Sequence, residues 1–160
     1  MLAVEAARAA VEACAAAGYR VGAAVVDSVG EARALLTADG ADGSHVFVAM
    51  RKALVALRFE MPSSQVAERA PKDPELLARV TPNMFVAGGA LPIMRDGVAI
   101  GAIGVSGAGA AGHAGILSGA VIGRQDELCA TAALRRIEKP LRQPTPAQAP
   151  PAQPPPAPER

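Results

Sequence analysis

Apolar residues recur along this chain of 160 residues with two different spacings, and the spacings predict its elements. In residues 2–17, 44–59 and 125–139 they return every three or four positions, which is typical of amphipathic helices. Ser44 is placed to cap the second helix. Residues 21–27 are a short apolar run that predicts a largely buried strand. A turn at Ser28-Val29-Gly30 joins this strand to a second one, so a hairpin is predicted.

A second hairpin is predicted within residues 88–107. Its turn is Asp96-Gly97, a dipeptide that favours the positive backbone dihedrals of a type I′ turn, and apolar residues flank it on both sides. Gly101 and Gly104 interrupt the second strand. Because glycine weakens a strand, these two positions indicate the close approach of another backbone, a subunit or a ligand.

Two segments lack the pattern of a packed element. Residues 108–123 carry no charge and consist mainly of Gly, Ala and branched apolar residues around His113. They fall short of the roughly 20 apolar residues that span a membrane, so we expect a flap over a pocket or against another subunit. Residues 143–160 are rich in Pro, Ala and Gln, which predicts a disordered tail after one folded domain at residues 1–142.

Composition narrows the function classes. The formal net charge is +1, so nucleic acid is not an expected partner, and no segment predicts membrane binding. Aromatic residues make up 2% of the chain, so the core must consist of small and aliphatic side chains. Cys14 and Cys129 lie in helical patterns and not in a metal-type spacing, which predicts buried free thiols. Residues 1–17 carry charges and read as a helix, not a signal peptide, so a cytoplasmic location is expected.

Several short motifs occur together: Val21–Asp27 followed by Gly30, Asp39-Gly40-Ala41, Lys52-Ala53, Gly-Gly-Ala-Leu-Pro-Ile at 88–93, Gly-Val-Ser-Gly at 104–107, and Gln125-Asp126. In this combination the chain resembles the GlcG/HbpS-like family of heme-binding or heme-degrading domains, over about residues 2–138. The resemblance implies a small, usually oligomeric α/β domain of the α+β type. It also implies a profilin-like antiparallel sheet. We expect a sheet of about five strands with packed helices.

The chain also departs from the family pattern. Thr37 stands where the family motif has an Arg two residues before its Asp, here Asp39. The apolar segment 108–123 is an insertion between the Gly-Val-Ser-Gly run and the last helix. Both departures, at Thr37 and at residues 108–123, lie near the positions where we expect a ligand to bind.

We predict a site where the Ser106-Gly107 loop, the start of the last helix at Gln125-Asp126 and the flap around His113 converge. Strand ends and helix N-termini expose unpaired donors, and glycine lets a ligand approach the backbone. On the resemblance alone, further residues are assigned to the rim of this site: Asp39, Lys52, Gly88 and Gly89.

Heme is a candidate cofactor. His45 and Lys52 fall on one helix face, where they could hold the carboxylates of a ligand or form an ordinary solvated surface. The axial ligand would be His113 or His45, although the low aromatic content counts against a porphyrin pocket. His113 could equally be a loop histidine that reaches solvent. No spacing typical of a metal site occurs.

Three functions remain open from the sequence. The first is a small-molecule-binding protein of the GlcG/HbpS type, with heme or a similar planar anionic ligand. The second is a cofactor-independent isomerase or cyclase acting on a small apolar metabolite, with His113 or Asp126 transferring a proton under the flap. The third is a purely structural oligomer. A homo-oligomer is expected in each case, because the flap and the glycine-bearing strand leave apolar surface.

Overall fold

The computed structural model describes residues 1–109 and 123–142. Most of the segment predicted as a flap, including His113, and the segment predicted as a tail at 143–160 lie outside these residues. The domain boundaries predicted for them therefore stay predictions.

The described residues form five α-helices, one 3₁₀ turn and four strands. In chain order the elements are α1 (Leu2–Ala16), β1 (Gly22–Asp27), β2 (Ala32–Thr37), α2 (Ser44–Phe59), α3 (Ser63–Arg69), the 3₁₀ turn (Ala70–Lys72), α4 (Pro74–Ala78), β3 (Ala90–Arg95), β4 (Val98–Ser106) and α5 (Arg124–Leu141). The strands form one antiparallel sheet in the order β2-β1-β4-β3.

The sheet thus has four strands where about five were expected. The two hairpins predicted from the sequence account for the four strands of this sheet. Prolines at 71, 74 and 82 interrupt the segment between the hairpins, which forms short helical turns instead. The mixed α and β class is confirmed, and the profilin likeness is not.

Helices cover both faces of the sheet. Because side chains alternate along a strand, Val25 and Ile103 face α1 and α5, while Val26 and Ala102 face α2. Many of the buried positions are alanines, so the core is built from small side chains as the composition requires. This packing brings α2 very near the sheet: a Cβ built on Gly104 would collide with the carbonyl oxygen of Ala49.

Both predicted hairpins are present. The β3–β4 turn has positive φ at Asp96 (51°) and at Gly97 (80°), as a type I′ turn requires. A Cβ built on Gly101 would collide with the carbonyl oxygen of Val26 on β1. Of the three explanations open for Gly101 and Gly104, the approach of another backbone is therefore the one observed.

The capping prediction at Ser44 is wrong. The Ser44 side chain accepts no capping hydrogen bond, and α2 has Gly43 at its N-cap position. Asp42 instead accepts the backbone N–H of Ser44 at 2.7 Å, because its carboxylate lies in an Asx turn just before the helix. Hydrogen bonds from the side chain and the backbone of Ser44 hold the pKa of Asp42 below its usual value.

The prediction of two free thiols is also wrong. Cys14 of α1 and Cys129 of α5 form a disulfide, with their Cα atoms 5.5 Å apart and their side chains buried. The helical pattern correctly indicated that both thiols are buried. It could not indicate that α1 and α5 pack side by side, since 115 residues separate the two cysteines.

Reduction of this disulfide is expected to lower the free energy of unfolding by about 2–5 kcal/mol, because the bond closes a very long loop in the unfolded chain. The measurement is urea unfolding of oxidised and fully reduced protein, and the Cys14→Ala/Cys129→Ala variant serves as a second form without the cross-link. Equal unfolding midpoints for oxidised and reduced protein would contradict this expectation.

Candidate functional site

A buried ion pair lies at the end of the sheet where β4 finishes. Lys52 Nζ is 2.9 Å from Asp126 Oδ2, and the two side chains are 3% and 2% exposed. Lys52 Nζ also donates to the carbonyl oxygen of Val105 at 3.3 Å. The second carboxylate oxygen of Asp126 accepts the backbone N–H of Ala108 at 2.8 Å. The pair therefore joins α2, the end of β4, the loop after β4 and the first turn of α5.

Local sequence explains why both charges reach this point. Asp126 stands in the first turn of α5, where the helix dipole favours a carboxylate. Lys52 lies on the buried face of α2, and Gly104 on β4 lets that face approach the sheet. The Lys52 side chain consequently reaches along the sheet to the end of β4.

Gly89 completes the environment of the ion pair. Its φ is +124°, and a Cβ built on it would lie 2.9 Å from Lys52 Nζ and 2.7 Å from the carbonyl oxygen of Val105. Its own carbonyl accepts the backbone N–H of Val105 at 2.8 Å. Gly88 packs equally tightly, because a Cβ built on Gly123 would collide with its carbonyl oxygen. The ion pair is thus covered on this side by the backbone of Gly88 and Gly89, without any side chain from these two residues.

A second set of hydrogen bonds surrounds the pair. Ser64 Oγ donates to Glu127 Oε1 at 2.9 Å, and Glu127 Oε2 accepts the backbone N–H of Gly89 at 3.4 Å. The buried Ser63 Oγ accepts the backbone N–H of Ala90 at 2.9 Å. The sequence pattern assigned no site role to Ser63 or Ser64, since the two residues belong to the proline-containing crossover and carry no motif.

On the outer side of the loop after β4 lies a set of accessible groups, which we call the glycine-loop surface: Gly107, His45, Arg20 and Gly40. A Cβ built on Gly107 would lie 3.0 Å from His45 Cδ2 and 2.8 Å from the carbonyl oxygen of Arg20. The His45 side chain is half-buried and Arg20 is exposed. The Arg20 side chain covers Gly40, with its Cδ 3.3 Å from a Cβ built there.

The structure brings together most of the predicted site residues. The following surround the end of β4: Lys52, Gly88, Gly89, Ser106, Gly107 and Asp126. Asp39 is exposed on the loop between β2 and α2, next to Gly40. His113 lies outside the described residues.

From its helix face, Lys52 was expected to bind a ligand or to be solvated, and the structure shows a third arrangement. The Lys52 ammonium group is bonded to Asp126 and Val105, so only His45 of the predicted pair is accessible. The sequence could not reveal this partner, because 74 residues separate Lys52 from Asp126.

Arg20 was not among the predicted site residues, although Thr37 was seen to stand in place of the family's arginine. The predicted hairpin could have indicated the position of Arg20, because β1 pairs with β2 so that Gly22 is opposite Thr37. The residues just before β1 therefore run beside the loop that follows β2. Arg20 supplies a guanidinium group at Gly40 despite Thr37.

Other features of the described residues limit the chemistry. No group of three or more His, Cys, Asp or Glu side chains that could hold a metal ion occurs in residues 1–109 and 123–142. Within the same ranges no helix is both long and apolar enough to cross a membrane. Asp27 accepts the backbone N–H groups of Val29 and Glu31 at 3.1 and 3.0 Å, so its carboxylate holds the turn between β1 and β2.

Replacing one member of the ion pair should be costly. Lys52→Met leaves the Asp126 carboxylate buried without its cation, and we expect the free energy of unfolding to fall by about 3–5 kcal/mol. Lys52→Met/Asp126→Asn removes both charges and keeps an acceptor for Ala108, so it should be more stable than Lys52→Met alone. Urea unfolding of the three proteins measures both effects. A double variant no more stable than Lys52→Met would show that the unpaired charge is not the cause.

Comparison with known proteins places the chain in a family. Residues 1–135 match the family model described as haem degrading protein HbpS-like. The crystal structure of HbpS is 34% identical, with 84% of this chain and 85% of that chain covered and a TM-score of 0.69. The Klebsiella pneumoniae protein ORFY is 25% identical, with 86% and 90% covered and a TM-score of 0.69.

A third structure, of a PduOC:heme complex, shares the fold at 23% identity, with 83% and 89% covered and a TM-score of 0.65. No curated protein matches the chain. The family model covers most of the chain, and the HbpS structure matches over both chains at more than 30% identity. The chain therefore belongs to the HbpS-like family.

Proposed function

We propose that this protein binds a small molecule, heme or a similar planar anionic ligand, at the glycine-loop surface. The observation that carries the proposal is the half-buried His45 imidazole packed beside Gly107, with the exposed Arg20 next to it. Membership of the HbpS-like family and the fold shared with the PduOC:heme complex support the ligand class.

The chemistry of these groups fits heme. A bound heme would supply an iron atom that takes an imidazole ligand, and propionates that accept hydrogen bonds. His45 offers the imidazole. Arg20 offers a guanidinium, which binds carboxylates through two parallel hydrogen bonds. Gly107 lets the loop after β4 pass close to the His45 ring and the Arg20 backbone, since a side chain there would collide with them.

The other predicted residues have supporting roles in this proposal. Gly107 contacts the ligand, the buried Ser106 supports it from the end of β4, and Asp39 lies at the rim beside Arg20. The loop after β4 is held in position by residues that do not contact the ligand themselves: Lys52, Asp126 and the Gly88-Gly89 pair. His113 stays a second candidate for the axial ligand.

The isomerase or cyclase alternative finds no support. Asp126, one of its two proton-transfer candidates, is buried, and both of its carboxylate oxygens accept hydrogen bonds. A general base must reach the proton that it abstracts from the substrate. No further observation favours a cofactor-independent enzyme.

The disulfide between Cys14 and Cys129 is relevant to the cellular compartment in which the protein is found. Structural disulfides persist mainly in oxidising compartments and are rare in the cytosol. We therefore propose an oxidising compartment in place of the cytoplasmic location expected from the sequence. Alkylation of free thiols during lysis in a denaturing buffer, which exposes the two buried side chains, followed by mass measurement, tests it. Two alkylated cysteines would support the cytoplasm.

A homo-oligomer also stays our proposal. Large apolar side chains are exposed on β2 and α2, among them Leu35 (48%), Leu36 (37%) and Phe47 (61%). A monomer would leave this apolar surface in water. Light scattering at micromolar concentration should give a mass of at least two chains, and a monomeric mass would contradict the proposal.

Hemin titration followed by visible spectroscopy tests the proposed ligand. Wild-type protein should give a saturable Soret band, and His45→Ala should weaken binding at least tenfold, about 1.4 kcal/mol. Arg20→Gln should weaken binding less and leave the band position unchanged, because it removes only a carboxylate contact.

His113→Ala is the matched control, since the chain has only two histidines. If His113→Ala loses the Soret band and His45→Ala keeps it, His113 is the axial ligand in place of His45. Hemin binding unchanged in both variants would contradict the proposed site.

A further inference from the structure

A cleft of about 590 Å³ opens between β3 and the C-terminal half of α5. Its volume lies within the range of about 300–1,000 Å³ typical of small-molecule sites. The residues that matter for its chemistry are Ile93, Met94, Leu134, Arg135, Leu141 and Arg142.

The floor of the cleft is apolar. Ile93 is buried at its base, and Leu134 and Leu141 of α5 are half-buried along its side. Met94 is 43% exposed on the edge strand β3. An apolar ligand would remove these side chains from water, which is favourable in proportion to the area covered.

The rim of the cleft is cationic. Arg142 pairs with Glu138 at 2.7 Å, and Arg95 lies 4.0 Å from the exposed Asp96. Arg135 also lines the cleft, and it forms no ion pair with any residue in 1–109 or 123–142. The Asp96 and Glu138 carboxylates also line the cleft, but they pair with Arg95 and Arg142, so Arg135 is the guanidinium group of this rim that has no ion-pair partner among the described residues.

This cleft is separate from the glycine-loop surface. Asp126 is in the first turn of α5, and the residues at this end of the chain that line the cleft run from Thr131 to Arg142. At a rise of 1.5 Å per residue, about 7 Å of helix separates Asp126 from the near end of the cleft and about 24 Å from its far end. Neither His45 nor Gly107 lines the cleft. A ligand in the cleft would not touch His45 or Gly107.

We propose that the cleft between β3 and α5 is a second binding site, which takes a small amphipathic anion. The apolar part of the ligand covers Ile93, Leu134 and Leu141. Its carboxylate or sulfonate group pairs with the Arg135 guanidinium. The apolar floor and the unpaired charge at its edge favour such a ligand, and neither feature depends on the function proposed for the glycine-loop surface.

The probe for this site is 8-anilinonaphthalene-1-sulfonate, an apolar anion whose fluorescence rises in an apolar environment. The full chain should bind it saturably. Arg135→Gln should weaken binding at least fivefold, and Leu134→Glu should abolish it, because it places a negative charge on the floor. The matched control is Arg136→Gln: Arg136 is the next residue on α5, and it pairs with Glu5 of α1 at 3.0 Å, outside the cleft. This control should bind the probe as the wild type does.

Three results would overturn the proposal. The first is binding of the probe that does not saturate. The second is an equal loss of binding in the Arg135→Gln and Arg136→Gln variants. Either result would indicate unspecific binding to the surface. The third is binding that appears only after truncation at Arg142, which would make residues 143–160 the occupant of the cleft. Hemin binding to Arg135→Gln should equal that of the wild type, so failure at this cleft and failure at the glycine-loop surface are distinguishable.

Discussion

The ion pair between Lys52 and Asp126 is the interaction on which the functional end of this molecule depends. Burying two charges costs several kcal/mol for each ion, and their attraction offsets this cost only when geometry is good and the remaining donors and acceptors are satisfied. Here the carboxylate accepts Lys52 with one oxygen and the Ala108 N–H with the other, and Lys52 also donates to Val105. We infer that the pair fixes how α2 and α5 meet the end of β4, more than it adds net stability.

The small residues around the pair follow from the same constraint. Gly104 lets α2 come close enough for Lys52 to reach the end of β4, and Gly89 leaves room for its ammonium group. The loop that follows Ser106 is then held on its inner side by Asp126, which accepts the Ala108 N–H. Its outer side can present Gly107 next to His45. A buried pair that carries no ligand can in this way position the residues that are proposed to bind one.

Local patterns predicted the elements well and the long-range pairs poorly. The residues of α2, the Asp96-Gly97 turn and the convergence of Ser106, Gly107 and Asp126 all follow from periodicity, turn chemistry and the chain ends of strands and helices. The disulfide between Cys14 and Cys129 does not follow, because periodicity indicates which face is buried but not which helix lies against it. For the same reason, periodicity could not indicate that Asp126 is the partner of Lys52. Arg20 was missed because its place depends on the hairpin register.

Amide hydrogen exchange at Ala108, measured by NMR on the wild-type protein, tests most directly whether Asp126 holds the loop after β4. If the carboxylate bond at 2.8 Å ties this loop to the buried pair, the Ala108 N–H should exchange only when a large part of the domain unfolds. Its opening free energy should then approach that of the amides in β4. Exchange at the rate of an exposed loop amide would contradict the account.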